Sequence, residues 1–232
     1  MTIDKAREIR SLVSMSSLSQ TLSISALFLS IGAEVDKKKD NLDMVLLTWL
    51  ESELDNLTSQ AIAVMSNLLE SYTYQMTLNY IILTDSIDYN FLRLDKAKGY
   101  TSYWLPSDNL NYTDRMINNI EGIKTELRSI FLANIDDPIV KLGLIHDCLQ
   151  KAQNQWIRLI DTEIEAAYAQ GARDGYLVEG CLYAVIENGD PCDECQDYVG
   201  EHEVDLEAGI IGVDLPPYHP NCKCVFTGIF RR

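Results

Sequence analysis

The sequence predicts a mainly α protein that closes in a small α+β C-terminal domain. Three observations lead there. Apolar residues recur at spacings of three and four over much of residues 41–178, the period of helices packed on one face. The composition then changes: eight of the twelve glycines lie at or beyond Gly171 and four of the six prolines at or beyond Pro191, so turns replace long helices. Four of the six cysteines and two of the three histidines fall in the last part of the chain, between Cys192 and Cys224.

Lys5, Arg7 and Arg10 precede SLVSMSSLSQTLSISALFLSIGA, a superficially signal-like start. Ser and Gln interrupt its apolar run and no small-x-small cleavage site stands out, so the expectation is an ordinary helix. Its buried face is expected at Leu12, Met15, Leu18, Leu22, Leu27 and Ile31. Over residues 41–70, Leu47, Leu50, Leu54, Leu57, Ala61, Val64 and Leu68 form a heptad seam, with Asn41 as N-cap and Asp43 in the first turn. The bland reading is one helix of an antiparallel bundle; the functional one is self-association through the 47–68 seam.

Residues 72–94 are aromatic and β-branched, which leaves helix and strand unseparated. Lys96, Lys98 and Gly99 read as a helix end, and 100–111 as a loop and linker. Helical periodicity returns over 113–132, where Met116, Ile120, Ile123, Leu127 and Ile130 share a face. Asp136-Asp137-Pro138 then starts a new helix, with Asp as cap and Pro in the first turn. Its stripe is Leu142, Ile145, Leu149, Ala152, Trp156 and Ile160, and it continues through Ile164, Ala167, Tyr168, Gly171 and Gly175. Small residues at 166, 167, 169, 171 and 172 would let another backbone approach closely. CLYAVIEN and CVFTGIF read as strands on either side of the cysteine cluster. The expected divisions are therefore a helical region over 1–110 (a bundle or extended hairpin), a helical part over 111–178 and a strand-and-loop domain over 179–232.

Charge excludes one class of function. The net charge is −16, and residues 179–232 carry eleven acidic and three basic side chains, half of that total. Broad binding to phosphate backbones needs clustered Lys and Arg, and Lys37-Lys38-Lys39 is the only basic block. No stretch is apolar enough to span a membrane. The expected setting at synthesis is the cytoplasm.

The cysteine cluster carries the chemistry. Cys192 and Cys195 form a C-x-x-C pair, and His219, Cys222 and Cys224 form H-x-x-C-x-C further on. Two tight groups of soft ligands on Gly and Pro turns are what a tetrahedral zinc site needs. Five candidates for about four places favour a closed, structural site for one Zn2+. Cys192 and Cys195 are the surest ligands; which of His219, Cys222 and Cys224 stays out is open. A structural ion would contribute on the order of 10 kcal/mol to a piece too Gly-rich to fold alone. Cys148 and Cys181 stand apart, Cys148 on an apolar helical face.

Catalytic patterns do worse. Pro191-Cys192-Asp193-Glu194-Cys195 matches half of the zinc-deaminase signature, but no H-x-E exists. His202-Glu203 has Leu206 where a metalloprotease needs its second His. G-x-S-x-G, P-loop and G-x-G-x-x-G are all absent. No catalytic residue is assigned, and the alternative of a zinc- or cysteine-dependent hydrolase would draw on Cys192 with His202 or His219 as base.

From about Thr113 to Phe226 the chain resembles the phage head-morphogenesis family, the Mu F-like minor head proteins. The resemblance rests on Asp161-Thr162-Glu163 with Ala166 and Gly171 downstream, a strand, Asp190-Pro191-Cys192-Asp193-Glu194-Cys195, Gly200 and Pro216-Pro217-Tyr218-His219-Pro220-Asn221-Cys222-Lys223-Cys224. Lys223 stands where the family has Arg, and a usual Trp in the strand is replaced near Tyr183. The resemblance implies a structural virion protein of the head, not an enzyme, present in few copies. Its partners would be the portal protein or the major capsid protein, with packaged DNA nearby but not tightly bound. Some members are thought to be delivered with the DNA. Residues 1–110 lie outside the resemblance and read as a docking or assembly part.

Overall fold

The computed structural model describes residues 22–83, 99, 110–187, 193–199, 203–219, 222 and 224–230. These residues are mainly helical and end in a small antiparallel sheet, the class expected. Helix α1 covers residues 22–37, α2 Met44–Leu83, α3 Tyr112–Leu132 and α4 Pro138–Val178. Strands β1 (Tyr183–Glu187), β2 (Glu203–Asp205) and β3 (Val225–Ile229) form a sheet in the order β2-β1-β3. Among the described residues no helix is long and apolar enough to cross a membrane.

The chain forms two compact units, each assembled from separate stretches. Leu18–Met65 and Thr113–Ile160 make a helical unit; Met1–Ser17, Ser66–Tyr112 and Asp161–Arg232 make a sheet unit. Helices α2 and α4 therefore each contribute one half to either unit.

In the helical unit, cross-helix pairs set the directions. Arg128 meets Glu51 at 2.6 Å and Lys124 meets Asp55 at 2.8 Å, so α2 and α3 run antiparallel. Lys151 reaches Glu126 at 2.6 Å between α4 and α3. Helix α1 lies against α4 through an edge-on contact of Phe28 with Trp156, centroids 5.7 Å apart, and through His146 Nε2 at 2.8 Å from Asp36 Oδ1. Leu47, Leu50, Leu54, Leu57 and Ala61 are buried in this unit's core, as a bundle helix requires. Cys148 is also buried there, its thiol facing the Ile123 carbonyl at 3.8 Å.

Several details differ from expectation. The buried face of α1 is Ile24, Phe28, Ile31 and Val35, while Leu22 and Leu27 are exposed; Leu12, Met15 and Leu18 lie outside the described residues. Asp43, not Asn41, caps α2, because its carboxylate accepts the N–H groups of Val45 (3.0 Å) and Leu46 (3.1 Å) directly ahead of Met44. Beyond Ala61 the buried stripe of α2 passes to Met65 and Leu69, leaving Val64 exposed. In α3 the last buried position is Phe131 rather than Ile130. The ambiguous segment after Tyr72 continues α2 as far as Leu83; residues 84–98 and 100–109, with the expected helix end and most of the linker, lie outside the described residues. The start of α4 is as expected, with Asp137 Oδ1 accepting the Ile139 N–H at 2.8 Å ahead of the Pro138 turn.

In the sheet unit, the small residues of α4 admit the backbone of α2. A Cβ on Gly171 would lie 2.6 Å from the Thr73 carbonyl oxygen and 2.5 Å from Met76 Cβ, so only glycine fits that crossing. The Thr73 hydroxyl donates both to Leu69 O (3.0 Å) and across to Ala167 O (3.3 Å). Helix α4 ends in a Schellman turn: Gly180, at φ 81°, donates to Leu177 O, and Cys181 N–H donates to Tyr176 O at 2.9 Å. That turn aims β1 back along α4. Ala184 pairs with Gly228 and Ile186 with Phe226, and Gly228 leaves room for the Tyr176 ring, which a Cβ would approach to 2.5 Å. Asp174 is fully buried on the same helix, beside Arg173 at 3.7 Å and accepting the Gly99 N–H at 2.6 Å.

Candidate metal centre

Three short segments of the sheet unit converge beyond the strands. The first is a 3-10 turn, Asp193–Tyr198, which carries Cys195 inward and fully buried. The second is the turn after the cis Pro216–Pro217 peptide, which carries His219. The third is the run into β3, which carries Cys222 and Cys224, both buried. Prolines at 216 and 217 suit this place, since an irregular turn here has no ladder to interrupt.

Local bonds fix the ligands. Cys222 N–H donates to His219 O at 3.1 Å, so these two side chains leave one tight turn together. Tyr218 stacks on Tyr198 with centroids 4.1 Å apart and planes at 14°, clasping the 3-10 turn to the His219 turn. The Tyr218 hydroxyl donates to Asp214 O at 3.1 Å. Burial raises the pKa of that hydroxyl, and the nearby sulfurs of Cys224, Cys222 and Cys195 push it in the same direction. Asp205 supports the approach to this region by accepting the Glu207 and Ala208 N–H groups, an Asx turn that leaves β2.

Cys195 Sγ lies 2.9 Å from His219 Nε2 and 3.7 Å from Cys222 Sγ. The ligand atoms of Cys195, His219 and Cys222 all fall within 4.8 Å of one another, two of the residues buried and one half-buried, and this group can hold a metal ion. Of the five expected ligands, the structure thus gathers three. Cys224 is buried two residues further on but is not one of the three; Cys192 lies outside the described residues. His202, the other expected base of a hydrolase, also lies outside them.

The two remaining cysteines stay apart from the centre. Burial pushes the Cys148 thiol up to about 12 and the Cys181 thiol up to about 11. Cys181 faces the carbonyls of Tyr183 and Ile229, each at 3.2 Å. A void of about 10 Å³ beside Cys222 and Cys224 is lined by Tyr168, Ala169 and Phe226 among others. It has room for about one water and none for a substrate.

Sequence reasoning missed the Tyr198–Tyr218 clasp. Tyr218 sits inside the quoted motif, but nothing in its spacing announces a stacking partner twenty positions earlier. Nor does the sequence mark β2, which the structure pairs to β1 through Ala184↔Val204. Compared with known proteins, the chain matches no protein-family model, no curated protein and no solved structure.

Proposed function

We propose that this chain is a minor head protein of a tailed phage, a structural component whose C-terminal domain is stapled by one zinc ion. The observation that carries the reading is the ordered pair of motifs, D-P-C-D-E-C and P-P-Y-H-P-N-C-K-C, whose Cys195, His219 and Cys222 come together. A chance run of cysteines has no reason to converge with a histidine.

Zinc fits the donor set. Thiolates at about 2.3 Å around a tetrahedral ion stand about 3.8 Å apart, close to the 3.7 Å between Cys195 and Cys222. A sulfur–nitrogen edge would be about 3.5 Å, against 2.9 Å between Cys195 Sγ and His219 Nε2, so His219 stands within reach of such an ion. Cys192, the partner of Cys195 in the C-x-x-C turn, is the fourth ligand in this reading. Four protein ligands close the site, leaving no position for a reacting water, which suits a structural rather than a catalytic role.

The rest of the role follows from the resemblance. The partners are the portal protein or the major capsid protein, and the location is the virion head. A charge of −16 suits a protein lying beside packaged DNA without binding it tightly. Quantitative mass spectrometry of purified heads of the encoding phage tests the proposal. The chain should be present in far fewer copies than the major capsid protein; its absence from heads would refute the assignment.

A further inference from the structure

We infer that Cys195 and Cys222 are a redox pair: oxidation joins their sulfurs in a disulfide, which expels the ion and replaces it as the tie between the same two turns. The inference rests on the zinc centre proposed above and adds its regulation. Both cysteines are reduced, and their sulfurs stand 3.7 Å apart. Bond formation needs them to close by about 1.7 Å, to the ~2.05 Å of a disulfide. What holds them near each other lies outside the ligand set. Tyr198, on the 3-10 turn that carries Cys195, stacks on Tyr218 at 4.1 Å, and Cys222 N–H donates to His219 O. This clasp keeps the two turns together whether an ion or a covalent bond joins the sulfurs. Cys148 and Cys181 do not compete, since the first faces the Ile123 carbonyl and the second the carbonyls of Tyr183 and Ile229.

The surroundings of the two thiols set the order of attack. Cys195 is fully buried, whereas Cys222 borders the void of about 10 Å³ lined by Tyr168 and Ala169 of α4 and by Pro216 and Pro217. Hydrogen peroxide, little larger than the water this space admits, therefore meets Cys222 first. The Cys222 thiolate attacks one peroxide oxygen, the O–O bond breaks and hydroxide leaves, giving a sulfenic acid. The Cys195 thiolate then attacks the Cys222 sulfur and displaces the second hydroxide. The two sulfurs lose two electrons, the peroxide gains them, and two protons from solvent turn the hydroxides into water. With both thiolates consumed, His219 and Cys192 are too few to hold Zn2+, and it leaves. A head protein is made in a reducing cytoplasm and then carried in a particle outside the cell. In that role the pair holds zinc at assembly and a disulfide afterwards.

Peroxide treatment of the reduced, zinc-loaded full chain tests this, with a chromogenic chelator reading released zinc and peptide mass mapping reading the sulfurs. About one zinc per chain should be released together with formation of a Cys195–Cys222 disulfide, and a thiol reductant with added zinc should restore the starting state. Oxidation that leaves the zinc in place overturns the inference. So does release with another pairing, such as Cys192–Cys195 or Cys222–Cys224, or with sulfinic acids and no disulfide. Reduced protein that holds no zinc fails the metal reading instead. In that case the same mapping of the metal-free chain still decides whether Cys195 and Cys222 are a pair.

Discussion

Cys195 and Cys222 hold their sulfurs 3.7 Å apart although 27 positions separate them in the chain. Between them lie β2, the Asp205 turn and the proline pair, so this contact ties together the segments that lie between the strands of the sheet unit. The three strands give it a frame, but only β1 and β3 are five residues long and β2 has three. A sheet this small depends on the helix beneath it, and Tyr176 of α4 packs against Gly228 and Phe226 of β3.

Thiol reactivity separates the centre from the core. With metal bound, none of Cys195, Cys222, Cys148 and Cys181 should alkylate readily at neutral pH. After chelation Cys195 and Cys222 should react, while Cys148 and Cys181, held up at about 12 and about 11 by burial, should stay protected as long as the helices persist. Mass mapping of the labelled peptides reads this directly. Labelling of Cys148 before Cys195 would show the packing to be wrong.

Glycine substitutions test the two helix environments against each other. At Gly171 a Cβ collides with backbone of α2, which cannot yield as a side-chain tip can. Gly171→Ala should therefore destabilise by about 1–3 kcal/mol despite the gain in helix propensity. Gly122 faces open space in α3, and Gly122→Ala should stabilise by about 0.5–1 kcal/mol. Denaturant melts of both variants measure the contrast. Stabilisation by both would mean that α2 and α4 do not cross closely at Gly171.

Much of this was legible and some was not, for physical reasons. Seams built from Leu, Ile and Met at helical spacing showed α2, α3 and α4, and Asp137-Pro138 announced a helix start because cap and fixed φ act locally. The seam of α2 broke at Val64 because a strict 3.5 repeat drifts around a straight helix. Successive steps of four, from Ala61 to Met65 to Leu69, bring it back. Ser-rich α1 offered several competing apolar phases, and only packing around Phe28 and Trp156 selects one. The strand β2 has no apolar pattern of its own; pairing with β1 creates it. The two units could not be read along the chain, since α2 and α4 pass through both. Of the centre, ligand chemistry was legible in residue type and spacing, whereas the Tyr198–Tyr218 clasp exists only in three dimensions.

Glu179, just after α4, gives the fold a pH dependence of defined sign. Burial raises its carboxyl to about 7 from 4.5. Between those values the folded chain holds a proton that the unfolded chain has released. The stability from this group is complete below about 4.5 and is lost as pH rises through about 7. Glu179→Gln should melt close to wild type at low pH and above it at pH 8. An equal offset at both pH values would remove Glu179 as the cause.

The metal content of the purified chain bears most directly on the centre. Freshly prepared, reduced protein should contain about one zinc per chain by elemental analysis. Cys195→Ser and Cys192→Ser should lose the ion and the C-terminal sheet together, with most helical circular dichroism retained, while Cys224→Ser should keep both. Reduced wild-type protein that folds fully with no zinc would contradict the metal centre outright.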